Sequence, residues 1–151
     1  MRIFLISLML FGGIVSNAQA APFDKNRTAI IFIEFQDEWI GPEAKLRDLL
    51  VKDLQDFNAA VANAESIIKS ARENGWLIAH AGLDLRHDPD YLIFGRGGED
   101  KAGLRKAIPN AGTWTGQGAE FVEPFIPQAA EFIVTGRSGA SVFKNSTLDA
   151  F

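Results

Sequence analysis

The sequence predicts an α/β fold built on a parallel sheet. The run at residues 28–36 is β-branched and aromatic and does not alternate polar with apolar positions, which is typical of a strand covered on both faces. Further apolar runs follow at residues 76–81 and 131–135. Residues 44–73 have helical character, so the first two strands and this stretch form a right-handed βαβ unit.

The first strand ends with an acidic residue. Glu34 closes the apolar run, and a carboxylate on such a strand is costly to bury unless another group pairs with it or uses it. In open α/β sheets, ligands bind beyond the carboxyl ends of the strands. Glu34 is therefore a candidate functional residue. A purely structural role, as a loop cap or as the partner of an arginine, is the alternative.

Residues 1–20 are predicted to be a signal peptide. Arg2 supplies the positive start, residues 3–15 are nearly all apolar, and Ala18-Gln19-Ala20 is a small-x-small cleavage signal. The apolar part is short for a membrane span, and an uncleaved anchor is the alternative. We expect a periplasmic or secreted domain over residues 21–151, with no membrane contact after cleavage.

Composition limits the classes of function. The net charge is −4 and no basic stripe is present, which argues against nucleic acid and anionic membrane as partners. The chain contains no cysteine, so disulfides, thiolate metal sites and thiol nucleophiles are excluded for these 151 residues. Residues 21–151 have the length of one domain.

The remaining elements follow from local signals. Gly41-Pro42 predicts a loop over residues 36–42. The helical stretch weakens at residues 53–58, so two helices are an alternative to one, and Asn74-Gly75 ends it. Residues 82–118 are rich in glycine and charge. This stretch is too long to lack structure in a compact domain, so it is a functional loop or contains short helices.

Three short helices are predicted in the second half of the chain. One covers residues 100–108 and is ended by Pro109, and another covers residues 119–125 and is closed by Pro124 and Pro127. Asn145 or Ser146 caps a third helix that begins at Thr147.

Several other residues carry weak signals. His80 lies in the second strand and is expected to be a hydrogen-bonded core residue. The acidic loop around His87 has no recognisable zinc or calcium spacing, and no metal or cofactor is predicted. The glycine-rich residues 95–98 do not follow a strand as a phosphate-binding loop must. No serine lies in a nucleophile elbow.

Glu34 and Arg137 both follow predicted strands. Because parallel strands end at the same edge of a sheet, these two side chains are expected to approach each other there. They form either a charged pocket or a simple ion pair, and spacing alone does not separate these alternatives.

Three segments resemble the isochorismatase-like cysteine hydrolases. These are TAIIFIEFQDEW at residues 28–39, GTWTGQGAEFVEPF at residues 112–125 and FIVTGRSGASVFKNSTLDAF at residues 132–151. Their order and spacing agree with that family across essentially the whole chain after residue 20. The resemblance implies a doubly wound α/β fold, with a mostly parallel sheet and helices on both faces.

The resemblance also implies an Asp–Lys–Cys triad. Glu34 takes the acid position, Arg137 takes the lysine position, and no residue takes the cysteine position. Arginine keeps the positive charge but does not readily give up a proton, and covalent catalysis of this kind needs the thiolate. Gln36, Trp114 and Phe143 match family positions and are candidate substrate-binding residues, with packing as the alternative for Trp114 and Phe143.

The resemblance further implies that the domain is incomplete, truncated after its third strand. In that architecture the first strand is central, with further strands beyond residue 151 on one side. Without them, residues 30–35 form an exposed apolar edge that favours association.

We therefore expect an isochorismatase-family hydrolase of a small amide or enol ether, inactive as this chain stands because the cysteine is absent. The alternatives are a non-catalytic protein that binds a small anion through Arg137, or an interaction module that forms a homo-oligomer through the first strand. The expected partner is a small-molecule substrate or anion.

Overall fold

A computed structural model of the chain describes residues 23–42, 44–94, 103–137 and 141–151. The predicted signal peptide at residues 1–20 and the glycine-rich residues 95–98 lie outside the described residues. In the part of the chain that is described, no helix is both long and apolar enough to cross a membrane.

In the described part of the chain, the sheet has three parallel strands in the order β1–β2–β3. They are β1 (Ala29–Ile33), β2 (Leu77–Ala81) and β3 (Phe132–Ile133). All three predicted strands are confirmed, although β3 is shorter than the apolar run at residues 131–135. Non-alternating runs of this kind are typical of strands covered on both faces, and four of the five residues of β2 are buried.

The described sheet leaves β1 at an edge. β1 pairs with β2 from Ala29 opposite Leu77 to Ile33 opposite Ala81, and no described strand pairs with its other side. Ile33 is 45% exposed. The described sheet thus leaves one side of β1 unpaired, while Ile33 is the one exposed residue of this strand.

The described residues form four α-helices: α1 (Asp37–Ile40), α2 (Lys45–Leu50), α3 (Leu54–Glu73) and α4 (Leu104–Ala111). The sequence of residues 44–73 was compatible with either one helix or two. The structure has two helices in this range, α2 and α3. Asp53 caps α3, because its carboxylate accepts from the backbone N–H groups of Gln55 and Asp56. The α3 C-terminus is followed by Gly75 in the left-handed conformation, with φ 64°.

Three predictions of local structure were wrong. Residues 37–40 form one helical turn, α1, rather than a loop. Helix α4 contains Pro109 and ends instead at the left-handed Gly112, with φ 63°. Proline close to the end of so short a helix removes one backbone hydrogen bond without preventing the last turn.

The predicted helix over residues 119–125 is also absent. A 3-10 helix, Gln117–Ala119, precedes a segment without helix, in which the Phe125 N–H closes a turn by donating to the Val122 carbonyl. Within that segment Phe121 forms an antiparallel bridge with Gln36, and Phe125 is fully buried. Tertiary contacts therefore override the local preference at these residues. At the C-terminus, Ser146 caps the 3-10 helix Thr147–Ala150. The sequence had predicted either Asn145 or Ser146 as this cap.

Apolar side chains cover both faces of the sheet. On one face, the strands pack against α3 and Phe125 through Phe32, Ile68, Ala71 and Ile78. On the other face, they pack against the C-terminal segment through Ala79, Ala81, Val134, Val142 and Leu148. A third cluster holds the loops together beyond the strand ends and contains Leu46, Leu83, Leu85, Tyr91, Trp114 and Ala119. The fold is thus a parallel α/β sandwich.

A buried charged network ties α3 to β2 and to the start of β3. Arg72 donates to both carboxylate oxygens of Glu131, at 2.7 and 2.9 Å, and also to the backbone carbonyls of Pro124 and Ile126. His80 is fully buried, and its Nε2 lies 2.7 Å from Glu131 Oε2. His80 is therefore the hydrogen-bonded core residue that was predicted.

The same network shifts two pKa values. The hydrogen bonds from Arg72 lower the pKa of Glu131 from 4.5 to about 2. Burial lowers the pKa of His80 below 6.5, in spite of the carboxylate beside it. The Nδ1 atom of His80 has no hydrogen-bond partner among the described residues, so a second ring proton would lie in an apolar environment. The shifted pKa values thus favour the charged carboxylate of Glu131 and the neutral imidazole of His80.

We predict that Glu131→Gln destabilises the protein by about 3 kcal/mol at pH 7, since it leaves Arg72 without its anionic partner. The stabilisation from Glu131 is complete above pH 4.5 and is lost as the pH falls through about 2. The variant should therefore lose less stability than the parent between pH 5 and pH 2. Urea denaturation at several pH values measures this. Glu73→Gln, at the exposed end of α3, is the matched control, and equal acid sensitivity of E131Q and the parent would contradict the assignment.

Candidate functional site

Glu34 is the first residue after β1. Its backbone N–H still donates to the carbonyl of Ala81 at 2.8 Å, but its φ is 61°. The acid thus lies just beyond the strand rather than within it, which refines the sequence-based placement. A left-handed backbone is uncommon for a residue other than glycine, and such outliers are concentrated at functional sites. The strand end therefore presents the carboxylate at the edge where ligands bind in α/β sheets.

Arg137 pairs directly with Glu34. Its Nη2 lies 2.5 Å from Glu34 Oε1, and the two side chains are only 5% and 17% exposed. Arg137 follows β3 through Gly136, whose φ of 73° favours glycine. The parallel sheet therefore joins residues that are 103 positions apart. The structure thus has an ion pair whose two residues each line a cavity.

Trp39 completes the surroundings of the carboxylate. Its indole Nε1–H donates to Glu34 Oε2 at 2.8 Å. Each carboxylate oxygen thus accepts at least one hydrogen bond, one from a cation and one from a neutral donor. Sequence reasoning missed Trp39, because a single helical turn such as α1 is too short to show a periodic pattern.

Two cavities border the ion pair. The first has a volume of about 370 Å³ and lies at the carboxyl ends of all three strands. We call it the strand-end cavity; its polar lining comes from Gln36, Asp84, Arg86, Glu120, Thr135 and Arg137. The second has a volume of about 280 Å³ and includes Glu34 in its wall. We call it the apolar cavity; its other lining residues are Ile33, Phe35, Trp39, Ile40, Phe57, Ala60 and Val61.

Charged side chains surround the mouth of the strand-end cavity. Arg86 lies 2.5 Å from Asp84 and 2.6 Å from Glu120. The hydrogen bonds from Arg86 lower the pKa of Asp84. All three side chains are about half exposed, so this cluster is solvated. The nearby Asp88 carboxylate accepts from the backbone N–H groups of Leu92 and Ile93, which is a structural role.

Gln36 lies in the wall of the strand-end cavity, but its amide is engaged with the backbone. Nε2 donates to the carbonyls of Leu83 and Ala119, at 2.7 and 2.5 Å, while Oε1 accepts from the Leu83 N–H at 2.8 Å. A Cβ at Gly82 would approach Nε2 to 2.7 Å, so this close packing requires glycine. Gln36 therefore positions the loops around the site, and its role as a substrate ligand stays a prediction.

The other two substrate-binding candidates are outside the linings of both cavities. Trp114 is 3% exposed and packs in the third apolar cluster, which holds the loops together beyond the strand ends. Phe143 is 58% exposed. Neither residue lines the strand-end cavity or the apolar cavity. Their proposed contact with substrate stays a prediction, and the geometry favours packing for Trp114.

Glu38 is a second residue that sequence reasoning missed. It is 1% exposed, and its Oε2 accepts from the backbone N–H of Trp114 at 2.9 Å. A Cβ at Gly118 would lie 1.9 Å from that oxygen, so only glycine fits there. Glu38 thus holds the 113–119 loop against α1. Over the described ranges, no three His, Asp or Glu side chains are placed to hold a metal ion.

Sequence and structure comparisons identify the family. The sequence profile described as the isochorismatase domain matches residues 28–151. The chain belongs to the isochorismatase family. The resemblance first noted in three segments is confirmed over the whole matched range, and so is the α/β fold that it implied.

Two solved structures share this isochorismatase-like fold. A cysteine hydrolase from Pseudomonas syringae pv. phaseolicola 1448A has a TM-score of 0.59 and 22% identity, over 86% of this chain and 55% of that one. An isochorismatase family protein from Desulfovibrio vulgaris subsp. vulgaris str. Hildenborough has a TM-score of 0.50 and 21% identity, over 81% of this chain and 58% of that one. The chain thus spans little more than half the length of either protein. No curated protein matches it.

We predict that Gln36→Leu destabilises the domain by at least about 3 kcal/mol, because it leaves three buried backbone groups of Leu83 and Ala119 without partners. Hydrogen exchange of the Leu83 amide should also become faster in the variant. Urea denaturation and amide exchange measure the two effects. Gln55→Ala, on the exposed start of α3, is the control. A Q36L protein as stable as the parent would show that these hydrogen bonds contribute little.

Proposed function

We propose that this chain carries the acid–cation part of a small-molecule hydrolase site of the cysteine-hydrolase type. In this proposal Glu34 takes the acid position and Arg137 takes the position of the family lysine. The contact between Arg137 and Glu34 at 2.5 Å carries the proposal, because it brings both positions together at the carboxyl edge of the sheet. The substrate class is a small amide or enol ether.

The chemistry of the two groups supports these roles. A carboxylate beside a nucleophile can accept its proton. The guanidinium of Arg137 carries a permanent charge that stabilises an anion, but it does not act as a proton donor. The strand-end cavity, with a volume of about 370 Å³, falls within the range of small-molecule sites. Substrate positioning and charge stabilisation are therefore what these residues offer.

We further propose that the 151-residue chain does not by itself catalyse thiol-dependent hydrolysis, since it contains no cysteine. The hydroxyls of Ser141 and Ser146 are not placed to replace the cysteine as the nucleophile. The Ser141 hydroxyl accepts from the backbone N–H groups of Phe143 and Lys144. The Ser146 hydroxyl donates to the carbonyl of Val142 and caps the last 3-10 helix. Both hydroxyls thus serve the local backbone.

Two further expectations remain part of the proposal. Export to the periplasm or the medium rests on the signal-like residues 1–20. A role as a non-catalytic anion-binding protein has less support, because the Arg137 guanidinium already faces Glu34. An anion would have to compete with that carboxylate for the guanidinium.

We predict no turnover of small amides, esters or enol ethers by the purified protein. The assay should use protein recovered from a periplasmic extract, and its N-terminal residue should lie near Ala21. A sample that begins at Met1 would contradict cleavage.

Glu34→Gln and Arg137→Met are the controls for the turnover assay. Turnover by the parent that both variants abolish would show that the chain is active without a cysteine, whereas turnover that survives in both comes from a contaminant.

A second candidate function is association through β1, which has no described neighbour on one side. Ile33→Lys puts a charge at this edge, a substitution that blocks strand pairing. If copies pair through β1, light scattering will show an oligomer for the parent and a monomer for I33K. Ile133→Lys, at an equally exposed position of β3, is the control and should remain oligomeric. A monomeric parent protein would exclude this candidate.

A further inference from the structure

One side of β1 offers unpaired backbone groups at every second residue. The Glu34 N–H donates to the Ala81 carbonyl, so this backbone group points toward β2. Because the backbone groups of successive strand residues point in opposite directions, those of Ala29, Ile31 and Ile33 point away from β2. No described strand pairs with that side. The strand contains no charged residue and no proline, the residues with which proteins commonly protect an edge strand.

The two ends of β1 differ in charge. Basic residues outnumber acidic ones at its amino end, whereas acidic residues outnumber basic ones at its carboxyl end. The charged residues are Asp24, Lys25 and Arg27 before the strand, and Glu34, Asp37, Glu38 and Arg137 at its end. Antiparallel pairing with an identical strand brings opposite ends together, and parallel pairing brings like ends together. Since opposite charges stabilise cross-strand pairs and like charges destabilise them, the charges favour the antiparallel arrangement.

The spacing of the unpaired backbone groups fixes the register of such a pair. Ile31 lies midway between Ala29 and Ile33, so a two-fold axis between two Ile31 residues also places Ala29 of each copy opposite Ile33 of the other. In an antiparallel ladder, residue pairs of this kind exchange two N–H···O=C hydrogen bonds, with their Cα atoms about 5.5 Å apart. All three residues thus gain partners within the strand. A shift by two residues would leave one of them without a strand partner.

Helix α3 fits the same arrangement. Ile68 packs with Phe32 of β1 and Ile78 of β2, so the helix lies over this pair of strands. Directly opposite residues of an antiparallel pair point to the same face of the sheet, which places the α3 helices of both copies on one face. The two helices are then separated by two strand spacings, about 10 Å, and packed helices lie about 8–10 Å apart. The helices of two copies therefore come into packing contact.

The side of α3 next to β1 has side chains that suit this contact. A third cavity, of about 590 Å³, lies between the amino end of β1 and this helix. Helix α3 contributes Ser66, Ile67 and Ser70 to its lining, and Ala60 lines the apolar cavity at the other end of β1. Serine and alanine are small, which allows a second helix to approach closely. Ile67 is 50% exposed, and its burial against a second copy would remove apolar surface from water.

We propose that two copies of this chain pair antiparallel through β1 about a two-fold axis at Ile31. Their sheets then join into one, their α3 helices pack side by side, and Arg27 of each copy lies beside the strand end of the other that carries Glu34. This deepens the candidate function of association through β1, on which it rests for the use of that strand. It adds the orientation, the register and the helix contact.

Disulfide formation between single cysteines reports the register, since the parent chain contains no cysteine. Ala29→Cys and Ile33→Cys are purified separately and oxidised either alone or as an equal mixture. In the proposed dimer, the two copies of either residue lie about 13 Å apart along the strands. Because Cα atoms more than about 7 Å apart cannot be bridged, the mixture should give at least about tenfold more cross-linked dimer than either variant alone. Ile31→Cys should cross-link with itself.

Charge reversal tests the orientation. Arg27→Glu places an acid at the amino end of each copy, next to the acidic end of the other, and should weaken dimerisation about tenfold in sedimentation equilibrium. Lys106→Glu makes the same change in α4 and should leave dimerisation unchanged. Both positions are exposed, so both variants should fold, which circular dichroism checks.

The outcomes separate this proposal from the candidate function on which it rests. A monomeric parent overturns both. An oligomer that I33K dissociates, but in which A29C and I33C do not cross-link, overturns the proposal and leaves the candidate function. Self-cross-linking of A29C would show parallel pairing, and equal dimerisation of R27E and the parent would show that the end charges do not orient the copies. Either result overturns the antiparallel arrangement.

Discussion

The ion pair between Glu34 and Arg137 requires that β1 and β3 run in the same direction on either side of β2. Only then do the ends of the two outer strands face each other at one edge of the sheet. Both side chains are largely removed from solvent, where an unpaired charge is strongly destabilising. The pair therefore links the topology of the sheet to the electrostatics of the site.

The loops around this pair are held by buried polar side chains rather than by further strands. Gln36 joins the end of β1 to the loops at Leu83 and Ala119, and Glu38 holds the backbone at Trp114. Gly82 and Gly118 allow these side chains to approach the backbone closely. Residues that follow the acid closely in sequence thus position the loops around the site.

Fold and chemistry are separable in this protein. Membership of the isochorismatase family and the parallel α/β architecture are shown over residues 28–151. The activity depends on individual side chains. Under the proposed assignment, Glu34 and Arg137 supply the carboxylate and the positive charge of the site, and the 151 residues contain no cysteine. The sheet brings these two charges into contact.

The sequence by itself determined the strands, the long helix and the meeting of Glu34 with Arg137. Each follows from a local pattern: continuous apolar runs, helical spacing, and a polar residue directly after a strand. Only the tertiary structure decided the contacts of Trp39, the hydrogen bonds of Gln36, the extended path at Phe121, and the buried network of Arg72, His80 and Glu131. Their partners lie in different elements or across one helical turn, where no periodicity forms. Which polar group satisfies which buried partner is therefore set by packing in three dimensions.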